Sequence, residues 1–164
     1  MRNYGTALSL AAMLAGCSGS GAVEPSAKLP VHTGCFVADS NNVHVRLELA
    51  VAPKERQKGL MGRESLAANS GMLFQYQKQR GPDYSFWMYQ TLIPLDIAYL
   101  DEQGIIGNIR QMEPCESTNG ARCPSYPAEV EFVSAVEMNM GFFKANGIGI
   151  GDRLKLGENN CTNR

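Results

Sequence analysis

Residues 71–100, GMLFQYQKQRGPDYSFWMYQTLIPLDIAYL, constrain the fold more than any other stretch. The segment holds the only tryptophan, Trp87, in the densest aromatic and methionine surroundings of the chain. It reads as adjacent strands. Residues 71–76 are apolar, and residues 84–91 set Phe86, Met88 and Gln90 against Trp87, Tyr89 and Thr91, a period-two pattern. Gly81-Pro82 marks a turn, and Pro94 interrupts the ladder because it has no N–H to donate. Residues 96–100 begin at a lone carboxylate, Asp96. This segment is expected to form the core sheet, with Trp87 inside it.

The flanking chain supplies further strands. Residues 35–38 begin one, and Asp39-Ser40-Asn41-Asn42 is a turn signal. Residues 44–51 place Val45, Leu47, Leu49 and Val51 on one face and His44, Arg46 and Glu48 on the other. Asp101-Glu102-Gln103-Gly104 predicts a hairpin between residues 96–100 and 105–111. Residues 130–138 alternate again, with Val130, Phe132, Val136 and Met138 against Glu131 and Glu137, and residues 153–156 form a closing strand. Two short helices are expected, at 52–63 with Pro53 in the first turn, and at 139–146 ended by Gly147. The glycines 147, 149 and 151 are no phosphate loop, since no helix pattern follows them and Asp152 is acidic. The sum is an α+β class: one small β-rich domain, an antiparallel-rich sheet or partly closed barrel with two short helices.

The N-terminus reads as an address. Arg2 precedes a short apolar run that ends Leu14-Ala15-Gly16-Cys17, which resembles a bacterial lipobox. The expected division is 1–16 signal peptide, 17–30 lipidated Cys17 and tether, and 31–164 the folded domain. By analogy with sorting rules, Ser18 after the cysteine points to the outer membrane, facing the periplasm. Lipid chains contribute about 0.8 kcal/mol per buried methylene, so a multiply acylated Cys17 holds the bilayer stably. Losing Arg2 leaves 14 basic against 16 acidic residues, a mature formal charge of −2. That excludes a basic nucleic-acid footprint.

Export makes the remaining Cys35, Cys115, Cys123 and Cys161 candidates for disulfides. Three pairings are possible. The favoured one joins Cys115 to Cys123 across a turn-rich loop and Cys35 to Cys161, tying the first strand to the tail. Zinc-type spacing is absent, and Met61, Met72, Met88, Met112, Met138 and Met140 suit core filling better than Cu(I). No metal or cofactor is expected.

Several ordered motifs are similar to the domain-of-unknown-function 192 family: E-L-A from Glu48, E-R-x-x-G-L-M-x-R from Glu55, G-M-L-F from Gly71, S-F-W-M from Ser85, T-L-I-P-L-D-I from Thr91 and G-I-x-I-G-D from Gly147. The chain departs from the pattern at Tyr89-Gln90, where the family usually has a Lys-Asn-like pair. The resemblance implies a compact β-rich domain, often exported, and no established activity. Within those motifs Arg56, Arg63, Trp87, Thr91 and Asp96, together with Glu137, are the candidate ligand-binding residues. If they converge, guanidinium groups hold an anion and the indole stacks on a ring. On a persisting helix, Arg56, Leu60 and Arg63 share one face, and the arginines are expected to pair with Asp96 or Glu137. No nucleophile–base pair is visible, so the reading is a non-catalytic binding module for a small polar or anionic envelope ligand. The alternatives are an accessory protein that binds an envelope partner, and a hydrolase using Asp96 and Glu137 as acid and base.

Overall fold

Alternation and turn chemistry build nine strands and two short α-helices in the computed structural model, which describes Met1, residues 28–39 and 41–157, and Cys161. The leader, Cys17 and residues 18–27 of the tether lie outside the described residues, and with them the lipidation reading.

The chain begins with β1 (Val31–Val37) and β2 (Asn42–Ala50), an antiparallel hairpin. It then runs through α1 (Pro53–Lys58) to β3 (Ser70–Arg80). That crossover lets β3 lie parallel to β2, as parallel neighbours require. β4 (Ser85–Trp87), β5 (Leu95–Leu100), β6 (Ile106–Met112), β7 (Ser125–Pro127), β8 (Phe132–Asn139), α2 (Phe142–Ala145) and β9 (Arg153–Leu156) follow. Seven strands form one sheet in the order β6-β5-β8-β3-β2-β1-β9, and β4 pairs with β7 in a separate ribbon. Every pairing in the large sheet except β2–β3 is antiparallel. The sheet curls into a half-barrel. Its outermost strands meet where Ile106 N donates to Asp152 O at 2.8 Å and Leu154 N donates to Gly104 O at 2.9 Å.

The curl creates two cores. All seven strands feed the inner one: Leu47, Leu73, Ala98, Val136 and Leu154 point inward with Phe36, and Phe142 and Phe143 of α2 plug it. On the other face, Met72, Phe74, Ile97, Tyr99 and Phe132 pack beneath the β4–β7 ribbon through Phe86. The ring of Phe86 lies edge-on to Phe74 at 5.2 Å and to Tyr99 at 5.8 Å. Tyr99 donates its hydroxyl hydrogen to Tyr126 O at 2.9 Å, tying the ribbon to the sheet. Burial on both faces makes β5 apolar throughout except for Asp96.

Both expected disulfides are present. Cys115 and Cys123 have their Cα atoms 5.6 Å apart, and Cys35 and Cys161 5.3 Å. On the chain-entropy model the short loop contributes about 2.5 kcal/mol and the long one about 5 kcal/mol. The methionines 72, 88, 112 and 138 are buried core residues.

Four expectations are corrected. The strand at 84–91 stops at Trp87, because Thr91 N bonds Met88 O and Gln90 takes φ 54°, which closes a turn. Trp87 is therefore not core: it sits on the outer ribbon and stays 43% exposed. The first helix ends at Lys58, since Gly59 (φ 47°) and Gly62 (φ 73°) leave helical space, so Arg56, Leu60 and Arg63 share no helical face. Asn139 belongs to β8, and the second helix is capped by Gly141 in the left-handed region.

Candidate functional site

The site is assembled by the short crossover between β2 and β3. Pro53 pre-sets the first turn of α1, and the Glu55 carboxylate accepts from Val51 N at 2.9 Å and Ala52 N at 2.7 Å. These backbone donors hold the Glu55 carboxyl below its usual range. None of the α1 residues is buried. Leu60, just beyond it, is the anchor and inserts into the outer core beside Phe74 and Met88. Gly62 N donates to Gln90 O at 2.8 Å, which fastens the crossover to the turn after β4.

Beneath this cover lies a small cavity of about 20 Å³, lined by Arg56, Leu60, Phe74, Trp87, Thr91 and Glu137 among others. That is room for a single water molecule. Four of the six expected residues thus meet, from α1, β4, the turn after it and β8. Glu137 is only 4% exposed. No hydrogen bond or ion pair reaches its carboxyl from the described residues. Burial pushes its pKa from the usual 4.5 up to about 8, so at neutral pH it is mainly a protonated acid that can donate a hydrogen bond.

The other two residues go elsewhere. Asp96 pairs in register with Met138, whereas Glu137 pairs with Ile97. Side chains alternate across a sheet, so the two carboxyls lie on opposite faces. Asp96 is 2% exposed on the inner face, where its Oδ2 accepts from Gly141 N at 2.9 Å and braces the turn into α2. Its Oδ1 has no partner among the described residues. An acid–base pair of Asp96 and Glu137 is therefore ruled out by topology. Arg63 faces the β2 side of α1 and pairs with Glu48 at 2.7 Å, not with Asp96 or Glu137. Arg56 forms no salt bridge among the described residues: it donates to Val51 O and, at 3.1 Å, to Gln75 O, with its guanidinium 4.6 Å from the Tyr76 ring centre.

Two open clefts flank the cover. One, of about 600 Å³, runs between Lys58, Met61, Tyr89, Gln90 and Leu92 and the disulfide loop at Cys115–Thr118. Tyr89 in its wall lies against Trp87, with ring centres 5.4 Å apart. The other, of about 760 Å³, lies between α1 and the start of β1, with Lys28, Lys54, Lys58 and Arg63 around Leu29 and Met72. Sequence reasoning missed the three lysines, Tyr89 and Gln90. Lys54 and Lys58 stand four apart on α1, which was a usable signal. Lys28 reaches the cleft only because Leu49 N bonds Pro30 O, a long-range contact.

A family model for DUF192, described as an uncharacterised ACR, matches residues 36–156. The chain belongs to the DUF192 family. Two solved structures show the same fold. One, from Sinorhizobium meliloti 1021 and provisionally described as a transcription regulator, is 28% identical, with a TM-score of 0.71, covering 80% of this chain and 98% of that one. Another, a protein of unknown function from Novosphingobium aromaticivorans DSM 12444, is 29% identical, with a TM-score of 0.69, covering 82% and 91%. No curated protein matches the chain. The DUF192 motifs lie on both sides of the cover: E-R-x-x-G-L-M-x-R builds α1 and its glycine exit, while S-F-W-M and the start of T-L-I-P-L-D-I supply Trp87 and Thr91 beneath it.

Proposed function

We propose that this DUF192 member is a non-catalytic binding module, lipid-anchored through Cys17 to the outer membrane and facing the periplasm. Its ligand is small and polar or anionic, and it binds under α1 at Glu137, Thr91, Trp87 and Arg56. The observation that carries the reading is the Glu137 carboxyl, 4% exposed, facing a cavity and reached by no hydrogen bond or ion pair from the described residues. Burying such a group unsatisfied costs on the order of 1–3 kcal/mol, a cost that a ligand accepting its hydrogen bond removes. A protonated carboxyl donates to a carboxylate, phosphate or carbonyl oxygen without repelling it. The space under α1 holds one water as it stands, so a larger ligand enters as α1, none of whose residues is buried, lifts from the ribbon.

The test is a thermal-shift screen of the purified protein against cell-wall sugars, short peptides and small anions, repeated with Glu137→Gln and Thr91→Val. A ligand that stabilises the wild type and loses most of its effect in both variants supports the site. A silent panel rejects it. Labelling of Cys17 with lipid precursor, lost in Cys17→Ser, tests the anchor separately. The partner-binding alternative draws support from Trp87 and Leu92, exposed by 43% and 54% on one side of the cover. Crosslinking followed by pull-down, with Trp87→Ala and Leu92→Ser as controls, addresses it.

A further inference from the structure

The cleft between α1 and β1 shares Lys58, Gly59 and Met61 with the wall of the Glu137 cavity but none of Arg56, Trp87, Thr91 and Glu137, and its charge is unbalanced. Six charged residues line it: Lys28, Lys54, Lys58, Arg63, Glu48 and Glu55. Both carboxylates are already engaged. Glu48 is held by Arg63 at 2.7 Å, and Glu55 accepts two backbone N–H groups at the start of α1. The three lysine ammonium groups have no carboxylate within 4 Å among the described residues. They converge in a chain whose formal charge is −1, so the imbalance is local to this cleft. Its remaining wall is apolar: Leu29, Met61 and Met72, with Val31 half-exposed at the rim. Three free ammonium groups around an apolar patch are suited to a phosphate carried on a greasy body.

The position of the cleft selects the source. Lys28 and Leu29 line it, and they are the last stretch of the tether before β1 begins at Val31. Eleven residue steps separate Cys17 from Lys28, so any path places Lys28 within about 40 Å of the anchor. We infer that this cleft is a lipid-facing site that takes the phosphate of an anionic phospholipid headgroup, with Lys28, Lys54 and Lys58 as its ligands and Val31 dipping toward the acyl boundary. The inference rests on the anchored reading for its geometry and is tested without the anchor.

The experiment uses the Cys17→Ser protein with both disulfides formed, floated with vesicles of phosphatidylcholine alone or mixed with phosphatidylglycerol. Binding is expected only to the phosphatidylglycerol vesicles and is expected to fall as salt is raised. The Lys54→Gln/Lys58→Gln variant should lose about fivefold for each lysine removed, the usual contribution of one basic residue near an anionic surface. Lys78→Gln/Lys155→Gln, two exposed lysines outside the cleft, should bind as the wild type does. Equal loss in both double variants, or no binding by the wild type, overturns the inference. Thermal protection by inorganic phosphate without vesicle binding overturns the membrane source. Glu137→Gln should leave flotation unchanged, so failure of the ligand site and failure of this cleft are read apart.

Discussion

Glu137→Gln isolates the cost of a buried acid. Glutamine keeps the shape of the side chain and cannot ionise. In the wild type the folded state holds the Glu137 proton up to about pH 8, while the unfolded chain releases it near 4.5. Between those values the folded state binds more protons, so stability falls as pH rises. The fall approaches about 1.4 kcal/mol per pH unit, which across this window caps the loss at about 5 kcal/mol. Below pH 4.5 both states are protonated and the term vanishes. The variant lacks the term at every pH, and other titrating groups cancel in the difference. Urea unfolding of both proteins from pH 4 to 8.5, disulfides intact and followed by Trp87 emission, should show the variant gaining on the wild type by about 2–5 kcal/mol between the ends of the range. A difference that does not change with pH, or one that moves in favour of the wild type, refutes the claim that Glu137 is buried and unpaired.

Gly71→Ala should cost about 2–3 kcal/mol in urea unfolding, because its Cβ would lie 2.3 Å from Glu137 O and Met138 Sδ and force β3 away from β8. Gln90→Asn should raise stability by about 0.5–1 kcal/mol, read as a small rise in Tm, since Gln90 holds φ 54° where asparagine is better tolerated. Cys115→Ser/Cys123→Ser should lose about 2.5 kcal/mol. It should also shift Trp87 fluorescence, because Gly120 of the bridged loop packs against the indole closely enough that a Cβ there would lie 2.8 Å from it.

What was legible in the sequence depended on solvent. β2 showed its alternation because His44 and Arg46 face water while Val45 and Leu47 face the inner core. β8 has two buried faces, so Glu137 looked like an outward residue when it is an enclosed one. Phe132 and Val136 looked like one face, yet a register shift in the β3–β8 pairing puts them in different cores. The disulfide pairing was readable from loop chemistry and the reach of the first strand. The arginine partners were not, because Glu48, Val51 and Gln75 reach them only after the crossover has folded. Motif membership brought Arg56, Trp87 and Thr91 to notice together, and their shared cavity is a product of packing that no spacing along the chain encodes.

The meeting of β6 with β9 has a consequence for life in a crowded compartment. An open seven-stranded sheet would expose two rows of unpaired amide and carbonyl groups, each a template on which a neighbouring copy could add a strand. Here the chain uses Gly104, whose Cβ would lie 2.5 Å from Leu154 O, to let the two margins touch. A larger residue at that glycine would reopen the margin and leave two strand edges free to recruit a neighbouring copy.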